Sequence, residues 1–334
     1  MNLQWNHKIF SVNEAGFEPL ALDIFRYQYE NNAVYKDYIR ALGVDPVSIH
    51  SLQKIPFLPI SFFKTHTITV SNAEPQAVFQ SSGTTGAVTS RHRVNDLTLY
   101  EESFLRAFEM FYGPVNEWCI IGLLPSYLER SNSSLVYMVN KMITLTKKPE
   151  SGFYLDEYDR LKQVLTGLES QGKKTLLIGV TFALLDFAEK YSFPLKNTVI
   201  METGGMKGRR KEIIRGEVHE TLKRSFCLES IHSEYGMTEL LSQAWSKTGG
   251  VFECPPWMRV LVREEDDPLA LQRSGFGNHP IYSGAFNIID LANVYSCSFI
   301  ATDDVGKLYE TGRFEVQGRM DTSDMRGCNL LVAD

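Results

Sequence analysis

Apolar and polar positions through the middle of the chain alternate between two spacings. Short runs that are apolar throughout have the length of buried strands, and the longer stretches between them carry apolar residues at helical spacing. In chain order these segments are 118–124, 135–145, 156–170, 174–179, 181–190 and 197–202. Strands that alternate with helices in this way are typical of βαβ units, so the pattern predicts an α/β fold around a parallel sheet.

The part of the chain before this alternation predicts helices and loops. Residues 21–39 show a loose helical rhythm that Asn31-Asn32 interrupts, and residues 67–70 have the composition of a short strand. Asp96 is a suitable N-cap for a helix, and Gly113-Pro114 ends that helix.

Beyond Gly249-Gly250 the pattern becomes that of successive strands, which are predicted at 258–262, 286–291, 297–302 and 314–316. We therefore divide the chain into four parts. These are a helical N-terminal buttress (1–75), an α/β core (76–250), a β-rich subdomain (251–320) and a short tail (321–334) that carries Cys328.

Composition and charge exclude several classes of protein. The 334 residues are 43% hydrophobic and 22% charged, and the net charge of −6 gives no electrostatic reason to expect nucleic acid or an anionic membrane surface. No apolar run approaches the roughly 20 residues of a membrane span, and the first residues carry no secretory signal. The five cysteines are widely spaced and contain no C-x-x-C pair, which argues against a disulfide framework or a zinc site and favours a cytoplasmic protein.

One stretch between an apolar run and the helix after Asp96 is unusually rich in hydroxyls and glycine. Its residues are Ser81, Ser82, Gly83, Thr84, Thr85 and Gly86. Glycines relax the backbone, and hydroxyls with consecutive N–H groups can converge on phosphate oxygens. The stretch does not fit the Walker pattern, because Ala87 and Val88 stand where lysine and Ser/Thr are required. The alternatives are a different phosphate loop and an ordinary polar turn.

This hydroxyl loop (81–86) resembles the nucleotide loop of the adenylate-forming superfamily, which includes acyl-CoA synthetases, luciferases and peptide-synthetase adenylation domains. Two further matches follow in the required order: Glu234-Tyr235-Gly236-Met237-Thr238-Glu239, and Thr302-Asp303-Asp304-Val305-Gly306 leading to Gly318-Arg319. The resemblance implies the large N-terminal domain of the adenylate-forming fold, with a β-rich C-terminal portion and without the usual small C-terminal domain.

The resemblance also implies ATP and Mg²⁺ as cofactors and gives roles to the matched residues. The hydroxyl loop would enclose the pyrophosphate part of ATP, and Tyr235 with Gly236 would lie against adenine. Thr238 would contact the α-phosphate, and Glu239 would bind magnesium, an ion that carboxylates and phosphate oxygens usually hold. An isolated Glu239 without the motif would be interpreted as a surface residue.

Four more residues receive roles from the same resemblance. Asp304 would hold both ribose hydroxyls, with Asp303 as the near competitor, and Arg319 would reach ribose or phosphate. Gly204 and Gly205 match a glycine-rich segment that flanks adenine. The chain departs from the family in lacking Pro-Lys after the hydroxyl loop, where Arg91 is a candidate replacement for the charge.

One branch of the superfamily fits the chain most fully. Three stretches look like the acyl-protein synthetases, the fatty-acid-activating component of the bacterial bioluminescence reductase complex: 123–130, 202–208 and 325–330. The resemblance implies that ATP activates a fatty or other carboxylic acid and that the acyl group passes to Cys328, then to a reductase partner. A small apolar residue in a docked tail is the competing interpretation of Cys328.

Two rival functions stay open at this stage. In the first, the acyl group passes to coenzyme A or to a carrier protein, so that the acceptor thiol is external. In the second, the chain is a catalytically silent nucleotide-binding or scaffold subunit. The sequence does not identify the acid.

Overall fold

A computed structural model of the chain describes residues 3–81, 88–124, 132–155, 157–204, 214–264, 271 and 281–320. The helices in these ranges are α1 (Leu3–Phe10), α2 (Glu14–Asn31), α3 (Ala33–Ala41), α4 (Phe62–Thr65), α5 (Leu97–Tyr112), α6 (Ser134–Thr146), α7 (Tyr158–Ser170), α8 (Thr181–Lys190) and α9 (Arg215–Phe226). The strands are β1 (Leu58–Pro59), β2 (Ala77–Gln80), β3 (Arg91–Val94), β4 (Cys119–Leu123), β5 (Gly152–Phe153), β6 (Thr175–Gly179), β7 (Thr198–Glu202), β8 (His232–Tyr235), β9 (Ala244–Ser246), β10 (Val251–Phe252), β11 (Met258–Arg263), β12 (Ile281–Asp290), β13 (Phe299–Tyr309) and β14 (Phe314–Arg319).

The first sheet, which we call the central sheet, has the strand order β5-β4-β6-β7-β8-β9. Its strands run parallel from β5 to β8, and β9 is antiparallel to β8. Strands β4 and β6 are buried at every position, as expected when helices cover both faces of a parallel sheet. The predicted βαβ alternation is therefore confirmed.

The second sheet, which we call the C-terminal sheet, is antiparallel and has the order β10-β14-β13-β12-β11. Strand β1 from the N-terminal part joins it by pairing in parallel with β13. In the β13–β14 ladder Asp304 stands opposite Arg319. Two residues that are 15 positions apart are thus neighbours on one ladder.

Strands β2 and β3 form a separate antiparallel hairpin in which Gln80 pairs with Arg91. Successive residues of a strand point to opposite faces, and here Phe79, His92 and Val94 are buried. The hydroxyl loop connects the two strands. The inner face of the hairpin therefore packs into the core.

Local signals in the sequence explain the helix ends. Asp96 accepts a hydrogen bond from the Thr98 N–H (2.9 Å) and caps α5, as predicted. Asn32 ends α2 and caps α3, which explains the interruption of the helical rhythm. Among the described helices, none combines the length and the apolar character that crossing a bilayer requires.

One predicted element is wrong, because residues 67–70 do not form a strand. The Val70 N–H donates to the Tyr295 carbonyl (3.0 Å), and the Ile68 carbonyl accepts from the Ser296 hydroxyl (3.0 Å). These single contacts to the turn between β12 and β13 replace the ladder that a strand would need.

Candidate active site

Three of the predicted site residues meet between the two sheets. Tyr235, at the end of β8, donates from its hydroxyl to Oδ2 of Asp304 on β13 (2.7 Å). Nε of Arg319, on β14, donates to Oδ1 of the same carboxylate (3.0 Å). Asp304 is 5% exposed, whereas 77% of the Arg319 side chain is exposed. The Tyr235–Asp304–Arg319 cluster thus places a buried carboxylate beneath an open guanidinium.

The electrostatics of the cluster keep Tyr235 and Arg319 protonated. Burial, and next the charge of Asp304, raise the pKa of the Tyr235 phenol well above its usual value, so the phenol stays a donor. The Asp304 charge also raises the pKa of Arg319. Asp303 instead uses its backbone carbonyl, which accepts from the Met320 N–H (2.7 Å). Of the two neighbouring aspartates, Asp304 is therefore the one whose side chain faces Tyr235.

Glu239, the residue after Thr238 in the same motif, is buried, with 5% of its surface exposed. Burial raises the pKa of its carboxyl. A hydrogen bond from the Ser90 hydroxyl and the positive charges of Arg319 and Lys64 lower the pKa, but by less than burial raises it. Ser90 also donates from its backbone N–H to the Ser81 hydroxyl (2.9 Å), and the Ser90 carbonyl accepts from the Ser81 N–H (3.1 Å). The base of the hydroxyl loop is thereby fixed to the motif that carries Glu239.

His92 makes a second connection between the hairpin and the motif. Its Nδ1 donates to the Thr238 carbonyl (2.9 Å), and its Nε2 lies 3.0 Å from Oδ1 of Asn293. The amide nitrogen of Asn293 donates to the Glu239 carbonyl (2.7 Å). These three side-chain contacts, which we call the His92–Asn293 bridge, fix two consecutive carbonyls of the motif.

The protonation of His92 follows from its burial. Both atoms that face the ring are acceptors, and only an imidazolium could donate to both. Burial lowers the pKa of His92 to about 4, which outweighs the opposing effect of its contacts with Thr238 and Asn293. The ring is therefore neutral at pH 7, and we assign its proton to Nδ1, whose contact is the shorter one.

The bridge is supported from behind by the N-terminal helices. Gln28 on α2 donates to the carbonyls of Asn293 (3.0 Å) and Val294 (2.9 Å), and Asn32 donates to the Ser296 carbonyl (2.9 Å). Both amide side chains are fully buried. No sequence motif marks Gln28, His92 and Asn293, because their partners lie far away in the sequence. The available signal was an amide among the apolar positions of a predicted helix.

Gly236 has a steric reason for its place in the motif. A Cβ at this position would collide with the carboxyl of Glu234, and it would lie 3.3 Å from Cγ of Gln243. Burial, with the neighbouring charge of Glu202, raises the pKa of Glu234 to about 8. The strand thus carries Tyr235 towards the C-terminal sheet and a neutral Glu234 to the other face.

The end of β7 forms a further polar cluster beside the motif. Glu202 accepts from the Thr181 hydroxyl (2.5 Å) and from the Gly204 N–H (2.7 Å). Burial raises its pKa, but hydrogen bonds from His219 and Thr181 and the charge of Arg215 leave the pKa below its usual value. Gly204 has a φ of 73°, which favours glycine.

The remaining predicted site residues lie outside the described ranges. They are Ser82, Gly83, Thr84, Thr85, Gly86, Gly205 and Cys328.

The protein side chains of the site could bind Mg²⁺ only together with phosphate oxygens. Within the described ranges, no group of three or more His, Cys, Asp or Glu side chains could hold a metal ion. Mg²⁺ usually takes one or two carboxylates and completes its shell with phosphate oxygens and water. Glu239 fits this pattern, because its buried carboxylate has a raised pKa that a cation beside it would lower.

Solved structures share this fold. A 2-hydroxyisobutyryl-CoA ligase in complex with 2-HIB-AMP and CoA matches with a TM-score of 0.64 over 92% of this chain and 70% of its own, at 13% identity. ATP-bound MatB from Rhodopseudomonas palustris matches with a TM-score of 0.52 over 73% of this chain, at 15% identity, and the matched part is 48% of the MatB chain. The prediction of the adenylate-forming fold is confirmed.

Sequence comparison gives the family. The long-chain-fatty-acid–luciferin-component ligase of Vibrio harveyi is 26% identical over 92% of this chain and 85% of its own length. A sequence model described as acyl-protein synthetase, LuxE, matches residues 10–334. Because that match covers nearly the whole chain, this protein belongs to the acyl-protein synthetase family.

Proposed function

We propose that this enzyme uses ATP to activate a carboxylic acid, of the long-chain fatty acid class, as an acyl-adenylate and then transfers the acyl group to a thiol. The observation that carries the proposal is the convergence of Tyr235, Asp304 and Arg319 from separate sequence motifs. Membership of a synthetase family disfavours the alternative of a catalytically silent scaffold subunit.

The cluster is suited to the nucleoside. Each oxygen of the Asp304 carboxylate already accepts one hydrogen bond, from Tyr235 or Arg319. A carboxylate oxygen has a second lone pair, so Asp304 can still accept from both ribose hydroxyls. The two existing donors hold the carboxylate in one orientation before the nucleotide binds. The exposed Arg319 guanidinium is then available to phosphate oxygens.

Thr238 and Glu239 would act on the phosphate groups of ATP. The Thr238 hydroxyl is a donor for the α-phosphate, where charge changes as the acid attacks and pyrophosphate leaves. Glu239 would hold Mg²⁺, which when bound neutralises charge on the phosphate oxygens. The His92–Asn293 bridge fixes the backbone of both residues, so the site needs little rearrangement when ATP binds.

We propose Cys328 as the acyl acceptor, and a reductase or carrier protein as the next recipient. Burial raises the pKa of the thiols of Cys119, Cys254 and Cys297, which makes them poor nucleophiles. Of the described cysteines, Cys227 is the exposed one and serves as the competing acceptor.

The test is to incubate the protein with ATP, Mg²⁺ and a labelled fatty acid, and to locate hydroxylamine-sensitive label by peptide mass spectrometry. We expect Cys328→Ser to keep ATP–pyrophosphate exchange and lose the label, because a serine hydroxyl without a base is a poor nucleophile. Cys227→Ser is the matched control and should keep both. ATP–pyrophosphate exchange without label on any cysteine would show that the acyl group passes to coenzyme A or another external thiol. Absence of exchange would refute activation of the acid by ATP.

A further inference from the structure

Two polar side chains that the proposed reaction does not use lie together beside Gly236. The carboxyl of Glu234 occupies the space that a Cβ of residue 236 would take, and Cγ of Gln243 borders the same space. Gln243 is 4% exposed, and its Oε1 has no hydrogen-bond partner in the described part of the chain. A buried amide oxygen without a partner is costly, and such a group requires an explanation.

This pair lies on the face of the central sheet opposite the Tyr235–Asp304–Arg319 cluster. Glu234 and Tyr235 are consecutive in β8 and therefore point to opposite faces. Trp245 is the cross-strand partner of Glu234. Gly236 is exposed and Glu234 is half-buried, so a ligand can reach the pair past the glycine.

The chemistry of the pair suits an uncharged partner. With a pKa of about 8, Glu234 is a neutral carboxylic acid at pH 7, with one O–H donor and an acceptor oxygen. Gln243 offers a free acceptor oxygen. A hydroxyl group both donates and accepts, and it matches these two side chains. An ammonium group would instead require an ionised Glu234, which the Glu202 charge opposes.

We propose that Glu234 and Gln243 form a subsite for a hydroxyl group near the carboxyl end of the substrate, so that the preferred acid is a fatty acid hydroxylated at C2 or C3. This inference rests on the proposed function. The acid becomes joined to the α-phosphate beside Thr238, and two residues of extended chain span roughly 7 Å. The first carbons of the acid therefore lie within reach of Gly236 and of the pair beside it.

The test compares acids that differ only in the hydroxyl. We would measure kcat/KM for ATP–pyrophosphate exchange with dodecanoic, 2-hydroxydodecanoic and 3-hydroxydodecanoic acid. A site built to bond a hydroxyl discriminates strongly against the analogue without it, and we expect a preference of about tenfold or more for one hydroxy acid. Glu234→Leu and Gln243→Leu should each reduce this preference to about twofold or less. Glu229→Leu, at an exposed position just before β8, is the control and should keep it.

Binding of non-reactive acyl-sulfamoyl adenosines, with and without the hydroxyl, provides a second measurement on the same full-length protein. Glu234→Gln keeps the size of the side chain, and it replaces the leucine variant in the test if that variant does not fold. Equal kcat/KM for plain and hydroxylated acids, or a preference that survives Glu234→Leu, would overturn the subsite. If the wild-type protein shows no ATP–pyrophosphate exchange with any of the acids, the proposed function fails. Tighter binding of the hydroxyacyl analogue would then still support the subsite, and equal binding would refute it.

Discussion

Replacing His92 by leucine tests whether the His92–Asn293 bridge positions the reactive motif. Leucine has a similar volume, so little cavity forms, but the Thr238 carbonyl loses its donor and Asn293 loses its neighbour. One lost hydrogen bond costs about 1 kcal/mol, and each buried polar atom left without a partner costs about 1–3 kcal/mol. We expect the free energy of unfolding to fall by about 2–4 kcal/mol.

The same change should lower catalysis in folded protein. The bridge fixes the carbonyls of Thr238 and Glu239, and a misplacement of about 1 Å in a reacting geometry costs on the order of 100-fold in rate. Urea unfolding gives the stability, and exchange at saturating ATP and acid, repeated over a Mg²⁺ titration, gives kcat and the magnesium requirement. His50→Leu, at an exposed histidine, is the control.

A conservative variant separates positioning from mere packing. In the His92→Asn variant the side-chain amide nitrogen can replace Nδ1 and donate to the Thr238 carbonyl. This variant should therefore have a higher kcat than His92→Leu. If His92→Leu loses stability but keeps wild-type kcat and magnesium dependence, the bridge only stabilises the fold. Unchanged stability as well as unchanged kcat would refute the hydrogen bonds themselves.

Three further outcomes are expected. Glu239→Gln should lower exchange by orders of magnitude with the fold intact, through loss of a magnesium ligand, and wild-type rates at the same Mg²⁺ dependence would contradict this. Calorimetry should show Asp304→Ala losing about 2–4 kcal/mol of ATP binding, with a smaller loss in Asp303→Ala; a larger loss at Asp303 would reverse the assignment. The pKa of Glu234 is raised from 4.5 to about 8, so its stabilising contribution is complete below pH 4.5 and is lost as the pH rises through 8, by at most about 5 kcal/mol. Glu234→Gln should therefore become more stable than wild type towards pH 9, and parallel stability curves from pH 5 to 9 would refute the raised pKa.

Hydrophobic spacing determined the main elements of the central sheet. The predicted helix 181–190 has the bounds of α8, and Asp96 caps α5 as its side chain predicts. These elements depend on residues that are close in the sequence, so the pattern contains the information. Strands β12 and β13 are longer than predicted, because their ladders continue past the apolar runs into polar positions.

The sequence by itself also determined the family and the motifs that carry Tyr235, Glu239, Asp304 and Arg319. Only the tertiary structure decided which atoms meet. The pairing of β13 with β14 puts Arg319 opposite Asp304, and the meeting of the two sheets brings Tyr235 to the same carboxylate. No local pattern encodes such contacts, because they depend on strand register and on the arrangement of sheets.

The same reason explains why the supporting residues escaped the sequence analysis. His92 is 146 residues from Thr238, and Gln28 is 265 residues from Asn293. A histidine in a short strand or an amide in a helix has many ordinary uses, and only its partner gives it a role. Local propensity and motifs determine which secondary-structure elements and which site residues this chain has. Long-range packing decides which side chains hold the motif in place, because each unpaired polar group that is buried is costly.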